Sequence, residues 1–421
     1  MGSLHKALWV SSGAGTSRRQ RASGVYYWYL PDRLMDLQLQ LDMDVVADVA
    51  RAEQVLASHA SSPLSGTEGI ARLLMRSESV ASSHIEGLSI GARRLMRAEL
   101  QLLEPDNVRY DRNAAVVLGN IRAMERAREL AVTAPEVTVR MLQAIHADLC
   151  KGTSTEQWGG VIRTMQNWVG GSGSNPLSAD YVPPAPEEVP ALLDDLVAYM
   201  NRNDVSPVVQ AALCHAQFES IHPFVDGNGR VGRALIQVCL CRRGVSPDAP
   251  PPISLALATM RQDYFEALAQ MQRHTDDTSR HKAINDWVSC FCGAVVDACA
   301  DMERIAREMS VMRATWEKTL GRVRAGSAVE LILDELPATP IFSVETMVRS
   351  TGRSKQAINL ATTRLLEAGI IRQTSQGKRS RVFEAPSVLE EFSMVERRLA
   401  SPSRDTNIDP PARRVPDRPA D

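Results

Sequence analysis

Residues 222–233 read His-Pro-Phe-Val-Asp-Gly-Asn-Gly-Arg-Val-Gly-Arg. Each residue type there has chemistry to offer. His222 is a base that titrates near neutral pH. Asp226 is a hard oxygen ligand of the kind Mg²⁺ prefers. Gly227, Asn228 and Gly229 can adopt conformations whose successive N–H groups form a concave anion nest. Arg230 opens the next helix, whose free N–H groups and dipole add positive potential at the same spot. Arg230 and Arg233 lie three apart and share a helix face. A base, a metal ligand, an anion nest and two guanidinium groups in one short stretch fit a nucleotide polyphosphate.

The flanking sequence must position these groups. Ser206-Pro207 is a good helix start, with a capping hydroxyl and a proline at the first helical position. That helix runs through Val208, Ala212 and Ala216 to Ile221. Pro223 pushes His222 out of the α region, which ends the helix and points the imidazole into a loop. Phe224 is the large apolar residue that can pin the loop to the body. Apolar residues at helical spacing recur over 70–80, 93–103, 114–130, 139–150, 189–200, 208–221, 230–243 and 261–269. The stretch 31–60 promises one or two more helices, and the residues before Val25 read as a loose arm with the basic run Arg18-Arg19-Gln20-Arg21. Strand signals are sparse and aromatics make up 5% of the chain, so the expected fold is all-α, a helical bundle. One stretch breaks the pattern. Trp158 to Trp168 is short and mixed, Gly170 to Ser174 form a joint, and Pro183, Pro184 and Pro186 restart the chain, as in a small β-hairpin flap.

With 421 residues, the length allows two to four domains. The 48 Lys+Arg against 50 Asp+Glu give a net charge of −2, with 44% apolar and 23% charged residues. Those figures exclude a mainly disordered or fibrous chain and give no whole-protein argument for nucleic-acid binding. No apolar run approaches a membrane span, and the start shows no signal-peptide series. The seven cysteines form no CxxC pair and sit in apolar, helix-like surroundings. Free buried thiols in a reducing, cytoplasmic setting are the expectation, and zinc is not.

The pattern HxF, an acidic residue, then GNGRxxR fixes eight positions, a coincidence on the order of 10⁻⁷ in a chain this long. It is the signature of the Fic family, which the chain resembles from roughly Gly24 to Phe291. The resemblance implies a Fic-type helical bundle and AMP transfer from ATP to a Tyr, Ser or Thr hydroxyl of a target protein or of the chain itself. His222 would take the hydroxyl proton. Asp226 would hold Mg²⁺ on the α- and β-phosphates. Gly227, Asn228, Gly229 and Arg230 would cradle the phosphates, and Arg233 would clamp the γ-phosphate. The intact Gly-Asn-Gly segment favours AMP over phosphate as the transferred group. The flap residues Ile162, Arg163, Gln166 to Gly170 and Tyr181 to Pro184 resemble the family's target-holding strand, which acts by main-chain hydrogen bonds. Tyr264 occupies a place where the family often packs the nucleoside, with core packing as the alternative.

Residues 82–87, Ser-Ser-His-Ile-Glu-Gly, match the family's inhibitory pattern, defined by Ser82, Glu86 and Gly87. The resemblance implies that Glu86 pairs with Arg233 and so withholds the γ-phosphate site, and that Glu86 can also serve de-AMPylation. The histidines at 59, 84, 146, 215, 274 and 281 read as solvated or packed.

Toward the C-terminus, helical runs at 328–336, 344–350 and 355–367 precede two strand-like stretches around a turn at Gln376 to Arg379. This series resembles a winged helix-turn-helix domain. Ten basic residues against five acidic over 321–383 are hidden in the neutral total. Arg353, Lys355, Gln356 and Asn359 stand where a recognition helix meets DNA, with Lys378, Arg379 and Arg381 in the wing. A protein-interaction module is the alternative. The expected organisation is 1–110 (N-terminal helical region with the inhibitory helix), 111–300 (catalytic core), 301–320 (linking helix), 321–390 (winged helix) and 400–421 (disordered tail). The expected partners are ATP, a target protein, DNA or protein at the winged helix, and a second copy in a homodimer. The competing functional reading is a DNA-binding regulator whose Fic core senses nucleotide.

Overall fold

The computed structural model describes residues 2–11, 13, 17, 18, 20–60, 68–103, 111–171, 173–245, 251–374, 381–401, 408–411 and 415. Arg19, Ser172, Lys378, Arg379 and most of the tail expected from 400 lie outside the described residues. Strands β1 (Ser3–Trp9) and β2 (Gly24–Leu30) open the chain. Helices α1 (Met43–Ala60), α2 (Glu68–Ile85), α3 (Ala92–Leu103), α4 (Arg112–Thr133), α5 (Val139–Cys150) and α6 (Val189–Met200) follow. Next come α7 (Pro207–Ile221), α8 (Asn228–Arg242), α9 (Ile253–Thr259), α10 (Arg261–Met271) and α11 (Asp277–Leu320). The last elements are α12 (Ala328–Glu335), β3 (Ile341–Ser343), α13 (Val344–Thr351), α14 (Lys355–Glu367), β4 (Arg372–Gln373), β5 (Val382–Glu384) and α15 (Pro386–Ala400). The molecule is helix-rich, as expected, but its two small sheets make "all-α" too narrow.

Two compact units share the chain, one of residues 1–56, 122–247 and 260–296, the other of 57–121, 248–259 and 297–421. They interleave along the sequence, so neither coincides with the contiguous spans read from composition. The reason is non-local packing: α9, a short insertion after residue 247, packs with α2 and α15 from distant parts of the chain. Nor does a linking helix begin at 301, because α11 is one continuous helix from Asp277. An 18-residue window of α11 has a mean hydropathy of 1.2, and 61% of that window is buried inside the protein. That is how a core helix reads.

In the first unit the supposed loose arm is a hairpin. β1 and β2 pair antiparallel with Lys6 opposite Tyr27, and the aromatic run of β2 supplies the strand propensity. Tyr29 N–H donates to the Val182 carbonyl at 2.9 Å, which ties β2 to the flap. The flap itself is held by one antiparallel bridge, Val169 to Tyr181. Residues 31–60 give one α-helix rather than two. A single 3₁₀ turn at Leu34–Asp36 is capped by the Asp195 carboxylate, which accepts from Leu34 N–H at 2.7 Å. Residues 37–42 then run without helix or turn to α1. The core is built on the α7–α8 pair. Gly232 permits their approach, since a Cβ there would meet Glu219 Oε1 at 2.4 Å and Phe218 at 3.2 Å. Trp287 is fully buried, and its indole N–H donates to the Ala212 carbonyl of α7 at 2.8 Å.

The second unit has its own core, from Leu73 and Leu74 of α2 through Leu95 and Ile305 to Phe342, Leu365, Phe383 and Phe392. Its C-terminal part has four helices, α12 to α15, and a three-stranded antiparallel sheet in the order β3-β5-β4, one helix and one strand more than expected. Ser343 and Thr346 close a capping box at α13. All seven cysteines are free, and five are buried. Burial pushes the Cys290 thiol up to about 11 and those of Cys292 and Cys299 to about 12.

Glu78 of α2 is 1% exposed, and its carboxylate accepts from the Ser254 N–H at 2.7 Å and the Ser254 hydroxyl at 2.5 Å. Ser254→Ala leaves this buried carboxylate short of a donor, at an expected cost of about 1–3 kcal/mol. Urea unfolding should show a lower midpoint with an unchanged slope. A midpoint equal to that of the parent would mean that the carboxylate is satisfied without the hydroxyl.

Candidate active site

The site is assembled at the end of α7. Ser206 caps the helix start by accepting from Val209 N–H, as the sequence predicts. At the other end His222 is the C-cap, with φ 49° and ψ 59°, and is the single non-glycine residue with positive φ among those described. His222 is thus out of the right-handed α region and the helix ends before Pro223, as expected, with the left-handed region as the conformation taken. The left-handed turn lets His222 N–H still bond the Phe218 carbonyl at 2.9 Å while reversing the chain. A non-glycine residue held there costs on the order of 1–3 kcal/mol, so the surroundings must impose it.

They do so through the carbonyls of the loop. Arg163 is 4% exposed. Its Nε donates to the His222 carbonyl at 2.8 Å, and its Nη2 donates to those of Pro184 at 2.6 Å and Ile221 at 3.3 Å. Its backbone N–H donates to the Pro223 carbonyl at 2.9 Å. Asn167 Nδ2 donates to the carbonyls of His222 at 3.3 Å and Phe224 at 3.0 Å. Asn228 closes the ring, accepting from Phe224 N–H and donating to the Phe224 carbonyl, both at 2.9 Å. The flap residues Arg163 and Asn167 therefore face inward and fix the loop after α7, and the Asn228 side chain is spent on the same loop.

His146, which reads in the sequence as a solvated or packed histidine, is buried against the loop. Its Nδ1 accepts from Gly160 N–H at 2.9 Å, so Nε2 carries the proton and donates to the Asp226 carbonyl at 2.9 Å. Its ring stacks on Phe224 at 3.8 Å, and Phe224 is buried as expected. Burial, with Arg230 nearby, lowers the pKa of His146 to about 4, so the ring is neutral. Nothing in its sequence surroundings marks it; only the folded loop does.

The positive side of the site is α8, which begins at Asn228, two residues earlier than predicted. Gly227 caps it at φ 82°, and a Cβ there would meet Leu149 at 2.7 Å. The N–H groups of Asn228 and Gly229 lie ahead of the first intrahelical bond, Val231 to Gly227. Arg230 lies one turn on, with its side chain 7% exposed and 3.3 Å from the Asp226 carboxylate, which is 57% exposed. Arg230 Nε is a buried donor with no hydrogen-bond partner among the described residues. Arg233 is 1% exposed on the same helix face. Burial and Arg233 lower the pKa of His215 to about 3, which keeps it neutral.

The other predicted residues fall elsewhere. Tyr264 is 1% exposed, with its hydroxyl 2.9 Å from His215 Nε2 and its ring beside Trp287. No face of the ring is left for a nucleoside, so core packing prevails. In the second unit, Ser82 is buried in α2. Gly87, at φ 78°, ends that helix in a Schellman turn: Gly87 N–H bonds the His84 carbonyl and Leu88 N–H bonds that of Ser83. Glu86 is exposed at the turn, as is Gly87. In the C-terminal part Arg353 donates to the Gly326 carbonyl at 2.6 Å, Lys355 pairs with Glu345 at 2.6 Å, and Arg381 bonds Asn359.

Residues 136–240, which run from the start of α5 into α8, match the profile of the Fic/DOC family. The chain carries a Fic domain. It is 31% identical over 134 residues to "Protein adenylyltransferase Fic" of Drosophila erecta, covering 31% of this chain and 25% of that protein. It is 35% identical over 112 residues to "Protein adenylyltransferase fic-1" of Caenorhabditis briggsae, covering 26% and 19%. The chain thus spans about a quarter of the length of these relatives or less. A solved Fic family protein of Desulfovibrio desulfuricans G20 aligns with 82% of this chain and 97% of its own, with 20% identity and a TM-score of 0.48.

His146 makes the loop acid-sensitive. The folded ring refuses a proton that the unfolded chain takes, so its contribution is full above about pH 6.5 and is lost as pH falls toward 4, a change of about 3 kcal/mol. His146→Phe keeps an aromatic face for Phe224 and should flatten this limb in urea unfolding between pH 7 and 4. An equally steep limb in the variant would assign the acid loss to other groups.

Proposed function

We propose that the chain is a protein adenylyltransferase, joining AMP from ATP to a hydroxyl of a target protein or of itself and releasing pyrophosphate. The observation that carries this reading is the pairing of His222, locked in a left-handed cap, with a helix N-terminus that presents two open N–H groups and two buried guanidiniums on one face. The attacking hydroxyl oxygen forms the bond to the α-phosphorus as the bond to the pyrophosphate oxygen breaks, and His222 takes the proton. Arg230 and Arg233 meet the negative charge, and the unpartnered Arg230 Nε fits a phosphate oxygen. Such transfer depends on positioning and charge stabilisation more than on covalent chemistry.

Asp226 offers an exposed carboxylate, and among the described residues no group of three His, Cys, Asp or Glu side chains could hold a metal. That donor set suits Mg²⁺, which is bound through one or two carboxylates together with the substrate's phosphates. When bound, the ion would offset charge on the phosphates beside Asp226.

A brake at Ser82 to Gly87 belongs to the same proposal and rests on the sequence pattern. The order helix, strand, two helices, two strands over 328–384 supports reading that segment as a winged helix. Arg353, Lys355 and Arg381 are engaged within the chain, so the DNA-binding regulator is not taken further.

Mass spectrometry after incubation with ATP and Mg²⁺ should find one AMP added, more in Glu86→Gly than in the parent. His222→Ala should lower the rate by about 10²- to 10⁴-fold or more. Glu86→Gly protein that gains no AMP, with itself or any target present, would refute transfer. Equal labelling of the parent and Glu86→Gly would refute the brake alone.

A further inference from the structure

Residues 37–42 read Leu-Gln-Leu-Gln-Leu-Asp, a period-two alternation that belongs to a half-buried strand. Among the described residues no strand pairs with this stretch. Leu37, Leu39 and Leu41 are half-buried, while Gln38 and Gln40 are exposed. Leu37 N–H is taken by the Leu34 carbonyl, and Asp42 N–H by Asn285 Oδ1 at 2.8 Å. Between them, the backbone groups of Gln38, Leu39, Gln40 and Leu41 make no hydrogen bond among the described residues. The three leucines line a cavity of about 550 Å³ together with Val46 and Val49 of α1 and Val209 of α7, a volume in the range of ligand sites. Met35 and Val46 extend the apolar lining to the surface at 45% and 44% exposure.

We infer that residues 37–42 form a docking edge for an extended segment of a partner protein, which adds as a strand and sends alternate apolar side chains into the cavity. An open strand edge supplies main-chain affinity, and a pocket on one face supplies selectivity for every second residue. Six residues span about 20 Å, so a partner segment of six or seven residues suffices. Charge sets its ends. Asp36 and Asp44 are exposed on either side of the stretch, and Asp42 lies beside His281 at 3.2 Å. Arg202, the one arginine among the lining residues, is held by Asp204 at 2.9 and 2.7 Å. The segment that fits is therefore apolar at alternate positions and basic at its ends.

This edge is separate from the catalytic loop. Val209 sits in the first turn of α7 and His222 caps its end, about 20 Å apart along the helix axis. Docking at the edge stands without the transferase reading, and its test uses no nucleotide.

The probe is a fluorescein-labelled peptide, Lys-Val-Thr-Val-Thr-Val-Lys, titrated with the full chain by fluorescence anisotropy. Two further versions carry N-methyl groups on the valines or on the threonines. Strand addition uses the N–H groups of one edge only. Saturable binding should therefore weaken at least about tenfold in one methylated version and persist in the other. Val209→Trp, which fills the cavity, should weaken binding to a similar extent, and hydrogen exchange of the parent should slow at Gln38 to Leu41 when peptide is present. The inference is overturned if the parent peptide shows no saturable binding up to about 1 mM, or if both methylated versions bind as well as the parent peptide. Unchanged exchange at Gln38 to Leu41 with peptide bound would overturn it equally, whatever the fate of the variant.

Discussion

The carbonyl groups of Ile221, His222 and Phe224 set the terms for the rest of the site. A chain that leaves α7 in a left-handed turn can no longer satisfy them by helical bonds, and buried carbonyls are rarely left unpaired. Arg163, Asn167 and Asn228 supply the donors. Once those bonds exist, the imidazole of His222, the Asp226 carboxylate and the start of α8 have fixed places. One arginine, drawn from the flap into the body, thus connects the flap to the loop it faces. Burial lowers its pKa only to about 10, so it stays charged at neutral pH and its donors stay strong.

The electrostatics around α8 follow one sign. Arg230 and Arg233 are both buried, which is costly unless something anionic compensates. The buried His146 and His215 do not add to the charge, because burial and the arginines keep them neutral. Their roles are geometric: His146 holds the Asp226 carbonyl, and His215 holds Tyr264 inside the core. A helix start, two buried guanidiniums and neutral rings give this end of α8 a positive field, which the half-exposed Asp226 carboxylate meets from one side at 3.3 Å.

Much of this was legible before the fold was seen. The twelve residues from His222 to Arg233 carry their chemistry in their types and spacing, and the start of α7 is written in Ser206-Pro207. Long amphipathic stretches became helices because periodicity reports which face will be buried. What failed to show was long-range. The left-handed turn at His222 depends on Arg163, some sixty residues away. His146 matters only once Phe224 and Gly160 reach it. Tyr264 reads equally as a nucleoside contact or a core residue until His215 and Trp287 enclose it. The leucines of residues 34–41 also lie at helical spacing, but the turn that Asp195 caps at its start stops at Asp36, Leu37 is extended, and the alternation takes over. Two interleaved units cannot be seen in composition at all, because α9 is short and its partners are remote in sequence.

The thiols carry a further consequence. Nucleophilic sulfur is thiolate sulfur, and with Cys292 and Cys299 held as thiols far above neutral pH, the native molecule offers them neither access nor reactivity. Opening the body restores both at once. Alkylating reagents would then count molecules in which the core has parted, so these thiols form a built-in clock for the opening of the chain.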